Sequence, residues 1–133
     1  MSTTLEIGQK IRKLIPGGSH TYSKGDDQWP EIAPKCIARG KGAYVWDADD
    51  NRYIEWSMGL TSICLGHAND EINKAAIDAM ALVHNFQRPS VIEAQAAEKF
   101  LDFLGDRGEM VMFSKNGSTV TTAAVKLSCA FIG

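Results

Sequence analysis

Apolar positions along the chain mark out helical and extended stretches in turn. In "LEIGQKIRKLI", Leu5, Ile7, Ile11 and Leu14 fall near one stripe and predict a short helix. Pro16-Gly17-Gly18 ends it. From Ser19 to Lys35 the chain is polar and irregular, with Gly25, Pro30 and Pro34. That stretch reads as a surface loop or a segment wrapped over another part of the protein. "AYVWDADDNRYIEW" then predicts a β-hairpin. Its aromatic and β-branched runs, Ala43–Trp46 and Tyr53–Trp56, flank an Asp/Asn-rich turn.

After the Gly/Ser/Thr-rich "MGLTSICLGHAND", a helix is expected from about Asp70 to about Val83, with Ile72, Ala75, Ala76, Met80 and Val83 on one face. A second follows Pro89. Ser90-Val91-Ile92-Glu93 has the form of a capping box, and Ile92, Ala96, Phe100 and Phe103 make the apolar stripe. The Gly105–Gly108 turn closes it. A buried strand is predicted at Met110–Phe113, then a helix from about Ser118 to Ala130 with Val120, Ala124, Leu127 and Phe131 on one face. The order is α/β in class. A strand exposes unpaired backbone groups unless it joins a sheet. The partners of Met110–Phe113 are not evident, so the pattern is that of a fragment of a larger fold.

Composition narrows this picture. The chain has 133 residues, 44% hydrophobic, with a formal net charge of −2 and no block of like charge. Nucleic-acid binding driven by basic charge is therefore disfavoured. No apolar run reaches the length of a membrane span. "MSTTLEIGQKIRKL" lacks the basic-then-apolar order of a secretory signal, so a cytoplasmic protein is expected. Cys36, Cys64 and Cys129 have no CxxC spacing and read as reduced, mostly buried thiols.

Candidate chemistry is sparse. Asp47, Asp49 and Asp50 invite a calcium-loop reading, which fails on positions. Arg52 stands where that loop needs glycine, and Met58 where it needs glutamate. A turn is the simpler reading. No metal site is expected. His20, His67 and His84 form no metal pair. His67 suits a structural bond to a backbone carbonyl, and none of the three is assigned to catalysis. The best candidate is the turn in "FSKNGSTVTT". Free N–H groups at a helix N-terminus and the helix dipole together attract anions. On pattern alone, ordinary capping by Asn116 or Ser118 competes with an anion site. Thr119, Thr121 and Thr122 read as capping and back-bonding residues, or place a hydroxyl on a phosphate.

"LIPGGSHTYS", "GKGAYVWDADDNRYIEW", "LGHAND" and "MVMFSKNGSTVTTAAVKL" occur in that order and at suitable spacing. Together they resemble the N-terminal part of class III pyridoxal-phosphate aminotransferases, in the branch of glutamate-1-semialdehyde 2,1-aminomutase and related aminotransferases. The resemblance covers nearly the whole chain. It implies a fold-type I, aspartate-aminotransferase-like α/β fold. Residues 1–66 would supply the N-terminal part of the small domain with its hairpin, and 67–133 the start of the large cofactor-binding domain.

The family's phosphate-holding turn, typically Ser-Gly-Thr, corresponds to Asn116, Gly117 and Ser118 here, which turns the preference toward an anion site. The implied cofactor is pyridoxal 5'-phosphate, and the implied partner a second copy of the full-length chain. The Asn-Ser-Pro-Val-Arg loop of the aminomutases aligns with His20–Lys24, giving Thr21 and Lys24 as substrate-binding candidates. Asp50 replaces a usual hairpin glycine, and Gly59-Leu60-Thr61 replaces a Ser-Trp-Gly pocket element. The substrate class is then an amino acid, keto acid or keto-sugar. No lysine lies in the family's Schiff-base motif, so no catalytic residue is assigned and the chain alone is expected to be inactive. A non-catalytic truncated product and a small α/β anion-binding module are the alternatives.

Overall fold

The computed structural model describes residues 3–82 and 86–133, which divide into two compact units, Met1–Leu82 and Val83–Gly133. In the first unit, helix α1 spans Thr4–Leu14. Its start is a capping box. Thr3 Oγ1 accepts from the Glu6 N–H, and the Glu6 carboxylate accepts from the Thr3 N–H at 3.1 Å. Near its end, Arg12 grips the Asp26 carboxylate with both Nε and Nη2, tying the helix to the loop that follows. That loop contains short 3-10 turns at Pro16–Gly18, Tyr22–Lys24 and Asp26–Gln28.

A three-stranded antiparallel sheet comes next: β1 Arg39–Lys41, β2 Tyr44–Trp46 and β3 Arg52–Ile54, in that order. The expected hairpin is β2–β3. Strand β1 adds to it, although "RGK" carries no apolar alternation. Gly40, Val45 and Tyr53 face one another across the register, and Val45 is buried. On the opposite face the Arg39 guanidinium lies 3.9 Å from the Trp46 ring centroid and the Arg52 guanidinium 4.8 Å from that of Tyr44. Each such contact contributes about 0.5–1 kcal/mol at an exposed site.

The β2–β3 turn is organised by Asp47. Its buried carboxylate accepts from the Asp49 and Asn51 N–H groups, from Asn51 Nδ2 and from the Tyr53 hydroxyl. Asp49 accepts from the Thr4 N–H, and Thr4 Oγ1 from the Ala48 N–H, so α1 begins on this turn. Asp50 pairs with Arg39. The acidic cluster thus holds a turn together, as expected.

Beyond β3 the chain folds back and pairs with itself. Gly42 and His67 exchange both backbone hydrogen bonds, at 2.8 and 2.9 Å. The approach requires glycine. A Cβ on Gly66 would lie 2.9 Å from Gly42 Cα, and one on Gly40 would lie 2.7 Å from the His67 ring. Within this loop the one-turn segment α2, Met58–Thr61, winds left-handed, with positive φ at Met58, Gly59, Leu60 and Thr61. Each of the non-glycine residues carries a cost of about 1–2 kcal/mol in that conformation. Helix α3, Asp70–Met80, follows, capped by Asn69 Oδ1 on the Glu71 and Ile72 N–H groups. The expected end of this helix at Val83 lies outside the described residues.

The second unit holds α4, Val91–Leu104, and α5, Gly117–Ile132. At the start of α4, the Glu93 carboxylate accepts from both the N–H and the hydroxyl of Ser90. A 3-10 turn at Gly105–Arg107 ends the helix. Two expectations need correction. Met110–Phe113 forms no strand, and Met110 and Met112 are largely exposed. A strand exists only through a neighbour's hydrogen bonds, and β1–β3 pair with one another. Phe113 instead meets Phe100 edge-on, with ring centroids 5.9 Å apart. The cysteines are not mostly buried: Cys64 and Cys129 are exposed and Cys36 is half-buried.

Burial pushes the Asp47 carboxyl upward, but hydrogen bonds from Asn51, Tyr53 and Asp49 outweigh it and hold the group below the usual carboxylate range. Asp47→Ala is expected to lower stability by about 1–3 kcal/mol, because buried donors lose their acceptor. A denaturant midpoint that falls with no change in slope checks this. The native contribution is complete above the unfolded carboxyl value of about 3.9 and is lost as pH falls through the lower folded value. The Ala variant should therefore show a weaker acid dependence of stability.

Candidate functional site

The start of α5 is a cap that leaves donors over. Asn116 is extended, with φ −161° and ψ 167°, and its Oδ1 accepts from both the N–H and the hydroxyl of Thr119 at 2.9 Å. The Val120 N–H reaches the Asn116 carbonyl at 3.2 Å. The N–H groups of Gly117 and Ser118 are different. Among the described residues neither donates to a protein acceptor. Two adjacent donors thus stand at the positive end of a long helix.

Gly117 keeps the approach to them open. A Cβ there would meet nothing within 4 Å, and its φ lies outside the left-handed region. Neither packing nor backbone conformation requires this glycine. The nearby hydroxyls separate into two groups. Thr121 Oγ1 bonds back to the Gly117 carbonyl and Thr122 Oγ1 to the Ser118 carbonyl, both at 2.9 Å. Thr119 is held by Asn116. Ser118 Oγ has no protein partner among the described residues and is available to a ligand.

The other candidates lie in the first unit. Thr21 caps the 3-10 turn Tyr22–Lys24, and the Lys24 N–H reaches the Thr21 carbonyl at 2.9 Å. Both residues are exposed. His20 is exposed in the same loop, and His84 lies outside the described residues. The expected bond from the His67 ring to a backbone carbonyl is replaced by one to a carboxylate: Nε2 is 3.2 Å from Glu55 Oε2. Its main chain makes the carbonyl contact instead, with Gly42.

Glu55 is a residue that sequence reasoning missed. Its carboxylate also accepts from the Gly59 N–H at 2.9 Å and from the Ser57 hydroxyl. Burial raises this carboxyl, while the bonds from Ser57, Gly59 and His67 hold it below the usual range. Glu55 and His67 border a cleft of about 320 Å³ together with Met58, Ile63 and Leu65. The available signal was Gly40 and Gly66, where a side chain would block the approach of the two segments, with Gly42 turning between them at positive φ. No group of His, Cys, Asp and Glu that could hold a metal occurs among the described residues. Among them, too, no helix is long and apolar enough to cross a membrane.

The family model described as "Aminotransferase class-III" matches residues 25–132. The glutamate-1-semialdehyde 2,1-aminomutase of Persephonella marina is 29% identical over 133 residues, which are 100% of this chain and 31% of that protein. An aminopentol aminotransferase of Sphingopyxis macrogoltabida is 31% identical over 128 residues, 96% of this chain and 30% of that protein. Among solved structures, the FumI protein of a Sphingopyxis species, in its PLP internal aldimine form, superposes with a TM-score of 0.83 at 30% identity. That match covers 92% of this chain and 29% of the other. The chain thus spans about 30% of the length of the relatives it matches, in their N-terminal portion. Its α/β architecture is that portion of the fold-type I aminotransferases, and the chain belongs to the class III aminotransferase family.

Proposed function

We propose that this chain supplies the phosphate-holding part of the cofactor site in an amino-group-transferring enzyme, an aminotransferase or a 2,1-aminomutase. The cofactor of its family is pyridoxal 5'-phosphate. The observation that carries the reading is the pair of N–H groups on Gly117 and Ser118 without protein acceptors, beside a glycine the fold does not need. These features fit a phosphate dianion. Gly117 and Ser118 donate main-chain N–H groups to its oxygens, and Ser118 adds its hydroxyl. Asn116 fixes the turn. Its carboxamide oxygen is committed to Thr119, so Nδ2 is what it can offer a ligand. When bound, the cofactor supplies the electron sink for amino-group chemistry.

Residues 1–66 would belong to the small domain and 67–133 to the large one. Thr21 and Lys24 would face an amino acid, keto acid or keto-sugar substrate, and the working unit would be a homodimer. Gly59-Leu60-Thr61 in place of Ser-Trp-Gly supports a substrate other than glutamate-1-semialdehyde.

Titration followed by amide resonances tests the cradle. Pyridoxal 5'-phosphate and inorganic phosphate should both shift Gly117 and Ser118, and pyridoxal, which lacks the phosphate, should not. The dipole adds only about 0.3–1 kcal/mol at an exposed terminus, so affinity in the millimolar range is expected. Gly117→Leu should weaken binding at least about tenfold while leaving α5 intact, because its side chain fills the approach. Equal shifts with pyridoxal, or an unaffected Leu variant, would remove the assignment. Asn116→Ala should destabilise the first turn of α5 by about 1 kcal/mol, read as faster amide exchange at Thr119 and Val120.

A further inference from the structure

We propose that Glu55 is a positioning residue whose carboxylate holds the left-handed turn Met58–Thr61 in place and thereby shapes the cleft beside it. The turn needs a holder. Three of its four residues, Met58, Leu60 and Thr61, carry a side chain at positive φ, between 48° and 67°. L-residues in this region relax readily to the right-handed or extended regions. Packing does not prevent this, since all three are exposed. The turn's own bonds are few: Thr61 N–H to the Ser57 carbonyl, Ser62 and Ile63 N–H to the Met58 carbonyl, and Ser62 Oγ to the Gly59 carbonyl.

Glu55 supplies what those bonds lack. One oxygen takes the Ser57 hydroxyl at the entrance of the turn. The other takes the Gly59 N–H inside it and the His67 ring beyond it. His67 is itself fixed to the sheet through Gly42. A single carboxylate at the end of β3 thus joins the start, the interior and the far anchor of one loop. Strained backbone persists where the surroundings over-determine it. Met58, Glu55 and His67 all border the 320 Å³ cleft, so the conformation of the turn sets one of its walls. The inference concerns the loop itself and holds independently of the cofactor reading.

Amide hydrogen exchange on the native protein tests it. Glu55→Ala should speed exchange at Gly59, Thr61 and Ile63 by about tenfold or more, with Ala38 and Asp47 in the hairpin unchanged. Glu55→Gln keeps an acceptor for Gly59 and should restore most of the protection. Asparagine tolerates the left-handed region, so adding Leu60→Asn to the Glu55→Ala variant should also recover protection in the turn. Leu60→Asn alone should slow exchange in the turn and nowhere else, a result that does not depend on the alanine variant folding. Unchanged exchange in Glu55→Ala, an equal rise across hairpin and turn, or failure of both rescues would overturn the assignment.

Discussion

A backbone N–H at the start of a helix lacks an intrahelical acceptor, and at the starts of α1, α3 and α5 a side-chain oxygen supplies one. Thr3 and Asn69 do so for α1 and α3, and Asp47 does so for the hairpin turn. Glu55 extends the rule to a left-handed turn, and Asn116 to α5. The candidate site follows from the same accounting. Asn116 serves the third N–H of α5, and the two before it have no protein acceptor among the described residues.

In the first unit polar contacts join the elements, and little apolar surface is buried. Val45 is the buried hydrophobic residue among those described, and the other two buried side chains, Thr4 and Asp47, are polar. The sheet, the start of α1 and the returning loop meet at hydrogen bonds rather than through a broad apolar core. Such an arrangement is directional. It fixes where the chain turns, and glycines at 40 and 66 leave the room in which the Gly42 and His67 segments approach closely enough to bond.

What could be read in advance was what is local. The breaker Pro16-Gly17-Gly18, the Asp/Asn turn between two aromatic runs, and the helix starts near Asp70, at the Ser90 capping box and near Ser118 depend on residues a few positions apart. The structure places them where pattern reasoning does. Strand β1 escaped because "RGK" becomes a strand only by pairing with Tyr44–Trp46. Met110–Phe113 failed in the opposite way: its composition is that of a strand, but composition does not provide a neighbour. Glu55 and His67 stand twelve residues apart, and their contact depends on a loop whose left-handed turn has no periodic signature. In the candidate site, Gly117 and Ser118 were legible through family likeness and helix-end physics. The commitment of each threonine hydroxyl required side-chain positions.

Those hydroxyls alter the character of α5. Thr121, Thr122 and Ser128 each turn their oxygen inward to the carbonyl one turn earlier. A threonine so engaged has spent its donor within the helix and shows its methyl group outward, much as a valine does. Beside Val120, Ala123, Ala124, Val125 and Leu127, the surface that α5 presents is therefore oilier than its letters imply. Lys126 is the one charged residue among its sixteen, so α5 is a helix of interior composition although its residues are exposed in this chain.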